Sequence, residues 1–382
     1  MMKCSFKTNL MGIPTVIFND NDRPDFYKTL RKRVNTHFRD NNISVHANTN
    51  MKIKTVFMLT VYFLPLILII SGTVNSFWLI LLLFTIMGFG MAGIGLTIMH
   101  DANHGSYSKN KKVNNALGFV LNFIGGYHLN WRIQHNVLHH SFTNVDGFDE
   151  DIEKQGIVRF SPNQERKKIF RFQIFYAPFL YGVLTLYWFV FKDIEQTFRY
   201  HKKDLLKTQG LTLRKALIRI IFHKIWYFGL TILLPIYMIT GPWWVIIIGF
   251  LIMQFICGLI LALIFQSAHV LESTQFYEVD TTGSLENNWA IHQMKTTANF
   301  ANGSIVFSWF VGALNYQIEH HLFPNICHVH YKDISKIVKL TAEEFDVPYY
   351  EYKTFLGALK SHFTLLHQLG TGKYDKNLVE TA

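Results

Sequence analysis

The sequence has few charged residues and almost no cysteine. Charged residues make up 16% of the 382 residues and apolar residues 49%, a balance that excludes an intrinsically disordered chain. Its three cysteines are too few and too scattered for a disulfide framework or a cysteine zinc site, and they suit a reducing compartment. These are Cys4, Cys257 and Cys327. The sequence also lacks Glu-x-x-His and His-Glu-x-x-His, which excludes the motifs of soluble di-iron bundles and zinc proteases.

The apolar residues are concentrated in four runs. About 20 apolar residues cross the hydrocarbon core of a bilayer as a helix. Only short polar turns separate the members of each pair of runs, at 71–76 and at Gly241-Pro242. The sequence therefore predicts an all-α integral membrane protein with four transmembrane helices in two hairpins. The four runs are Val56–Ile70, Phe77–Met99, Ile220–Thr240 and Trp243–Gln266.

The positive charge is distributed unevenly around these runs. The net charge is +11, and residues 100–219 between the hairpins hold 18 Lys and Arg, whereas the two turns hold none. Loops rich in Lys and Arg stay on the cytoplasmic side. We therefore expect both termini and the loops between hairpins to be cytoplasmic, in the inner (plasma) membrane if the protein is bacterial. Because the basic charge follows membrane topology, we do not expect a nucleic-acid partner.

Two further segments are apolar enough to contact the membrane. The run 172–191 is uncharged, but an odd number of crossings between residues 140 and 269 would separate the histidines described below. We interpret it as interfacial or re-entrant. Residues 113–129 predict a partly embedded amphipathic helix. We divide the chain into a cytoplasmic arm without a signal peptide (1–52), a membrane domain (53–330) and a cytoplasmic helical tail (331–382) that completes a cap.

The most unusual feature of the composition is its 18 histidines, since histidine is costly to bury in a membrane protein and is the commonest metal ligand. Eight of them follow helical spacing or lie where an apolar run ends, in HDANH, HNVLHH, QSAHV and QIEHHLFP. Eight imidazoles exceed the four to six ligands of one ion, so two metals are implied. We predict the third histidine of HNVLHH to be rotated by about 100° from its neighbour, which suits a second metal. The predicted ligands are His100, His104, His135, His139, His140, His269, His320 and His321, with Gln317 as a further candidate.

Other polar residues nearby have simpler interpretations. A single histidine near a membrane is more often a structural hydrogen-bonding group than a ligand, and His128 and His292 fall outside any ligand spacing. His328 and His330 would point apart on a helix, so we exclude them too. We interpret the acidic stretch 146–153 as a solvated loop.

The segments HDANH, HNVLHH and QIEHHLFP resemble the three histidine boxes of the membrane-bound fatty acid desaturases. The glutamine that opens the third box resembles the front-end subgroup. The resemblance covers about residues 50–330. It implies that the eight histidines bind two non-haem irons, which use dioxygen and two electrons to remove two hydrogens from an acyl chain. Gln317 stands where other subgroups have histidine, so it is either a weak ligand or a group that orients a water.

The resemblance also implies a substrate and an electron donor. The substrate is a fatty acyl-CoA or an acyl-lipid, drawn from or presented by membrane lipid. Front-end desaturases often carry a fused cytochrome with a His-Pro-Gly-Gly core, and no His-Pro pair occurs here. We therefore expect electrons from a separate ferredoxin or free b-type cytochrome. Two alternatives stay open: an acyl hydroxylase or conjugase on the same centre, and a non-catalytic membrane metal-binding protein.

Overall fold

The four predicted membrane helices are confirmed in the computed structural model, which describes residues 16–153 and 156–374. Cys4, the rest of residues 1–15 and residues 375–382 lie outside the described part, so the predictions for them have no structural outcome here. The spans are 49–70, 77–104, 213–238 and 244–269. They consist of α2 (Thr49–Ile70), α3 (Phe77–Leu96) followed by α4 (Ile98–His104), α10 (Leu213–Phe228) joined through the π turn Gly229–Leu233 to α11 (Leu234–Met238), and α12 (Trp244–His269).

Helix α3 lies at the centre of the membrane region, and glycine allows its neighbours to approach closely. A Cβ on Gly249 of α12 would lie 2.2 Å from the Phe84 ring, and a Cβ on Gly90 would lie 2.7 Å from the backbone nitrogen of Tyr62 in α2. Small residues serve the same purpose in other membrane helix pairs, where van der Waals packing replaces the hydrophobic effect. The close packing fixes the ends of α3 and α12, which carry histidines into the site.

The segment predicted to be interfacial or re-entrant is bent by 58° where its two helical parts, 168–182 and 184–202, meet. A bend of this size occurs both in a broken span and in a re-entrant loop, and the two parts together are long and apolar enough for either, so the interfacial or re-entrant interpretation stays a prediction. The segment contains the 3₁₀ turn Lys168–Phe172, α7 (Gln173–Gly182), α8 (Leu184–Tyr187), the π turn Trp188–Lys192 and α9 (Asp193–Lys202).

The single helix predicted over 113–129 is wrong. Helix α5 (Lys111–Phe119) passes into the 3₁₀ turn Val120–Ile124, and the chain then turns at Gly125, whose φ is +90°. This left-handed conformation is open to glycine and ends the helix. A separate short helix, α6 (His128–Arg132), then leads into the second histidine box.

The remaining elements form the cap. Helix α1 (Asp25–Asp40) packs on α16 (Tyr331–Glu344), and both bury apolar residues spaced four apart, which is the pattern of one helical face. This contact joins the predicted arm to the predicted tail, while the three-part division itself stays a prediction. The other helical elements are the 3₁₀ turns Leu205–Gln209 and His328–His330, α13 (Trp289–Thr296), α14 (Ile305–Phe310), α15 (Gln317–Leu322) and α17 (Phe355–Thr371).

Four very short strands do not alter the predicted all-α class. They form two parallel pairs, each joining distant parts of the chain. The first pair holds the start of the described chain against the segment before α13, and the second holds the segment before α14 against the segment before α17. The pairs are β1 (Ile17–Phe18) with β2 (Ser284–Leu285), and β3 (Ala298–Phe300) with β4 (Tyr350–Tyr352).

Candidate metal centre

All eight predicted histidines lie in one cluster beneath the cap. Four structural elements carry them: α4, the helical turns after α6, the last residue of α12, and α15. Seven of the eight side chains are buried and His104 is half-buried. The histidines converge because α3, which continues into α4, packs beside α12. The π turn of the second box and α15 cover the ends of these helices.

The first histidine group consists of four residues whose ring nitrogens lie within 4.8 Å of one another. They are His100, His104, His135 and His320. The Nε2 atoms of His100 and His135 are 3.2 Å apart. The hydroxyl of Tyr331 lies 3.2 Å from Nδ1 of His320, within hydrogen-bonding distance of that ring.

A π turn sets the position of His140. The second box folds as the π turn Ile133–His139, and the amide of His140 donates to the carbonyl of His135, five residues earlier. In such a turn, residues five apart share a face. Nε2 of His140 therefore lies 3.2 Å from Nε2 of His135 and 2.9 Å from Nε2 of His320. The His140 ring lies at 84° to the ring of its neighbour His139 and also stacks on His321 with centroids 4.4 Å apart. The rotation predicted between His139 and His140 agrees with this arrangement, and the metal that His140 binds stays a prediction.

These nitrogen separations fit a shared metal. A pair of neutral imidazoles can share only one proton, and the Nε2 atom of His140 faces two such partners. Adjacent ligands about 2.1 Å from one ion lie about 3.0 Å apart, close to the 2.9–3.2 Å observed between Nε2 atoms. Nε2 of His104 is buried and has no hydrogen-bond partner among the described residues, so it too is available to an ion.

The second histidine group consists of His139, His269 and His321, whose ring nitrogens also lie within 4.8 Å of one another. Here the Nδ1 atoms are held by acceptors outside the group. Nδ1 of His269 donates to the carbonyl of Thr296 at 3.1 Å, and Nδ1 of His321 donates to Oε1 of Gln293 at 2.8 Å. These bonds fix the tautomer and leave the Nε2 lone pairs of His269 and His321 unpartnered in the described structure.

An aspartate outside the predicted set supports His139. Nδ1 of His139 lies 3.1 Å from both carboxylate oxygens of Asp149, which is fully buried. A carboxylate behind a ligating histidine orients the ring and raises its basicity. The interpretation of 146–153 as a solvated loop is therefore wrong at Asp149. No helical spacing links these residues, because a turn of irregular backbone separates them, and sequence reasoning therefore missed the contact.

Burial favours the neutral form of four of the clustered imidazoles. It lowers the pKa of His135, His140, His320 and His321, and the neighbouring imidazoles lower it further. A neutral imidazole keeps the lone pair that a metal requires. The donor set therefore fits two ions that bind imidazole nitrogen.

Gln317 lies at the start of α15, one turn before His320 and His321. Its side chain is fully buried and approaches the His269 imidazole, and neither amide atom makes a hydrogen bond of ordinary geometry with the described residues. An unpartnered buried amide costs free energy. The two roles predicted for Gln317, weak ligand or holder of a water, both satisfy that amide and both stay predictions.

A second buried polar cluster lies beside the first histidine group. Oδ2 of Asp101 accepts from Nδ1 of His328 at 2.8 Å and from the thiol of Cys327 at 3.0 Å. Nε2 of His328 lies 2.7 Å from the ammonium of Lys54, so the histidine joins a carboxylate to a cation. The cluster satisfies its own polar groups and ties α2, α4 and the segment after α15 together. We excluded His328 from the predicted ligands, but residue spacing does not predict its contacts with Asp101 and Lys54.

The histidines excluded from the ligand set lie outside both groups. Nε2 of His292 lies 2.7 Å from the carbonyl of Thr143, and Nδ1 of His128 lies 2.9 Å from the amide nitrogen of Asn122. Each therefore has a hydrogen-bonding role within the described structure.

Comparison with known proteins adds an independent observation. Residues 76–353 match the fatty acid desaturase family model. The chain is 36% identical over 349 residues to the sn-1 linoleoyl-lipid 6-desaturase of Synechocystis sp., an alignment that covers 90% of this chain and 95% of that protein. It is 34% identical to the sn-1 linoleoyl-lipid 6-desaturase of Arthrospira platensis over 90% of this chain and 92% of that protein. It is also 34% identical to the acyl-lipid (8-3)-desaturase of Physcomitrium patens, over 94% of this chain and 75% of that protein.

Proposed function

The chain belongs to the fatty acid desaturase family and desaturates fatty acyl chains, and we propose that it does so with two irons held by the eight clustered histidines. The first histidine group and His140 would bind one iron. The second histidine group would bind the other. Gln317 would act as a weak ligand or hold a water beside them.

The observation that carries this proposal is the pattern of buried imidazole nitrogens. In the first histidine group and His140, Nε2 atoms face one another at 2.9–3.2 Å. In the second, the Nε2 atoms of His269 and His321 are buried and have no partner among the described residues, while their Nδ1 atoms are bonded outward. Since burying polar atoms without partners is costly, ions at these two places explain both arrangements.

Each part of the site has a task in the reaction. Bound iron supplies the oxidising chemistry with dioxygen that no side chain can supply at an unactivated methylene. The chain's own residues hold the imidazoles in one tautomer, through Asp149, Thr296 and Gln293, and exclude bulk water by burying the cluster. The cap elements α13 and α15 provide that cover.

We propose a lipid-linked acyl chain as the substrate, because two relatives, aligned over 95% and 92% of their length, are named sn-1 linoleoyl-lipid 6-desaturases. We propose that electrons come from a separate ferredoxin or free b-type cytochrome, since these residues contain no His-Pro pair of a fused cytochrome core. The clustering of Lys and Arg in residues 100–219 supports a cytoplasmic position for the site.

The test is analysis of fatty-acid methyl esters by mass spectrometry, with localisation of double bonds, in cells that express the intact chain or His139→Ala. We expect a new alkene only with the intact chain. A hydroxylated product would contradict desaturation and identify the related oxidation.

A matched control uses a histidine outside the cluster. His201 is exposed in α9, so His201→Ala should leave the product unchanged. Full activity and full iron content in His139→Ala would contradict the ligand assignment.

A further inference from the structure

An uncharged segment lies inside the cap, directly before the third histidine box. Residues 296–318 contain no Asp, Glu, Lys or Arg, although the rest of the cap is rich in charge. Helix α14 (Ile305–Phe310) occupies the middle of this segment. Residues 296–301 and 311–318 are buried, so the part of this uncharged segment that reaches the surface is 302–310.

The two sides of α14 have different surroundings. On one side, the Trp309 ring contacts Phe57 of α2 with centroids 5.5 Å apart, and the Phe310 ring approaches Phe89 of α3 at 6.4 Å. On the other side, Ile305 is 72% exposed and Val306 is 81% exposed. Helix α14 is therefore packed on two membrane helices and presents β-branched apolar residues outward.

The contact with Phe89 indicates the depth of α14. Phe89 lies ten residues before the end of the apolar run at Met99, which is about 15 Å along a helix. Phe89 is itself 45% exposed on the surface of a membrane span. The Phe310 ring therefore lies beside a lipid-facing residue well inside the apolar run, and the outward side of α14 continues the lipid-facing surface.

We propose that α14 is inserted into the cytoplasmic leaflet of the bilayer, with Ile305 and Val306 among the lipid acyl chains. The polar residues Asn302 and Ser304 precede the helix and remain at the headgroup level, where the Ser304 hydroxyl caps the first turn. In so short a helix the flanking residues supply several partners: the amide of Phe307 donates to the Ser304 hydroxyl, and the carbonyl of Ser308 accepts from the amide of Ala313.

The position of α14 bears on substrate entry, and this step rests on the proposed function. The chain leaves α14 through residues 311–316, which are all buried, and enters α15 with Gln317 and His320. The same face of the molecule carries α3, which continues into the helix of His100 and His104. A lipid in the cytoplasmic leaflet beside α14 would therefore lie next to the two segments, residues 311–316 and α3, that lead directly to the first histidine group.

The depth of α14 is tested by spin labels in the full-length protein. A single cysteine replaces Val306 in a Cys4→Ser background, and the protein is placed in vesicles of phosphatidylcholine and phosphatidylglycerol. Leu82→Cys on the lipid-facing side of α3 is the membrane reference. Leu340→Cys is the water reference, because Leu340 is 60% exposed in the cap helix α16.

We expect the label at Val306 to be relaxed by oxygen and shielded from a water-soluble nickel complex, as at Leu82. Relaxation by nickel equal to that at Leu340 would overturn the proposal. This result does not depend on activity, so a membrane-embedded label on an inactive chain would support insertion while contradicting the proposed function.

The entry route is tested by Val306→Asp with Leu340→Asp as its control. We expect Val306→Asp to lower conversion of vesicle lipid at least about tenfold with unchanged iron content, and Leu340→Asp to have no effect. Equal conversion by the two variants would overturn the role of α14 in substrate entry.

Discussion

The two histidine groups are built differently, although each brings imidazole nitrogens to one place. The second group, His139, His269 and His321, is held from outside by Asp149, Thr296 and Gln293. The first group and His140 are held mainly by one another, through Nε2 separations of 2.9–3.2 Å.

The two groups therefore differ in what keeps their imidazoles in position. Acceptors behind the imidazoles preorganise the second group, so its geometry persists without an ion. In the first group, crowded nitrogens require an ion to be satisfied together. We therefore expect the second site to depend on its supporting residues and the first to depend on its metal.

The largest effects should come from removing one ligand in each group. His320→Ala and His321→Ala should each lower product formation at least about 100-fold, because outright loss of a ligand exceeds the effect of losing an outer partner. Product is measured as fatty-acid methyl esters, and iron per chain by elemental mass spectrometry. We expect each variant to lose about one iron, and loss of iron in neither variant would contradict the two-site account.

Asp149→Asn should have the next largest effect. The substitution keeps the size of the side chain but removes the charge that holds His139, so iron affinity should fall about 10-fold to 100-fold at the second site. The measurement is iron retained against a chelator. The control is Asp146→Asn, since the Asp146 carboxylate accepts from Ser161 and Asn163. Equal retention in the two variants would mean that the aspartate does not preorganise His139.

A smaller effect on activity is expected at the polar cluster beside the first group. His328→Ala separates Lys54 from Asp101, whose Oδ1 lies 3.8 Å from Nδ1 of His100. Leaving buried charges unpaired costs about 3–5 kcal/mol, so the thermal midpoint in detergent should fall clearly, with a few-fold loss of activity. His367→Ala on α17 is the control. An unchanged midpoint in His328→Ala would show that the cluster contributes no stability.

The smallest effect is a pH dependence at a support of the second group. Nδ1 of His362 donates to the carbonyl of Val270, the residue after His269, and burial lowers the pKa of His362 from 6.5 to about 4. Unfolded His362 binds a proton below about pH 6.5, whereas folded His362 does not until about pH 4. The contribution of neutral His362 to the free energy of unfolding is therefore complete above pH 6.5. It declines by about 3 kcal/mol as the pH falls to 4.

The readout is the thermal midpoint against pH for the parent and His362→Gln. The parent should lose more stability than the variant between pH 6.5 and 4. Parallel curves would contradict the assigned role of His362.

The sequence predicted the features that depend on periodicity and length. Apolar runs identified the four spans, and helical spacing identified the clustered histidines other than His269, which was identified by its position at the end of an apolar run. It did not predict contacts made by irregular backbone or distant segments, such as Asp149 with His139 and His328 with Asp101. It also did not predict the π turn that brings His140 beside His135 and His320, because no residue pattern in HNVLHH marks that turn.

The most direct test of the account is the metal content and coordination of the purified intact chain. Elemental analysis with iron X-ray absorption should find two irons per chain, both with imidazole nitrogen as the main ligand. One iron per chain, or a first shell dominated by carboxylate oxygen, would contradict the assignment of one iron to each histidine group.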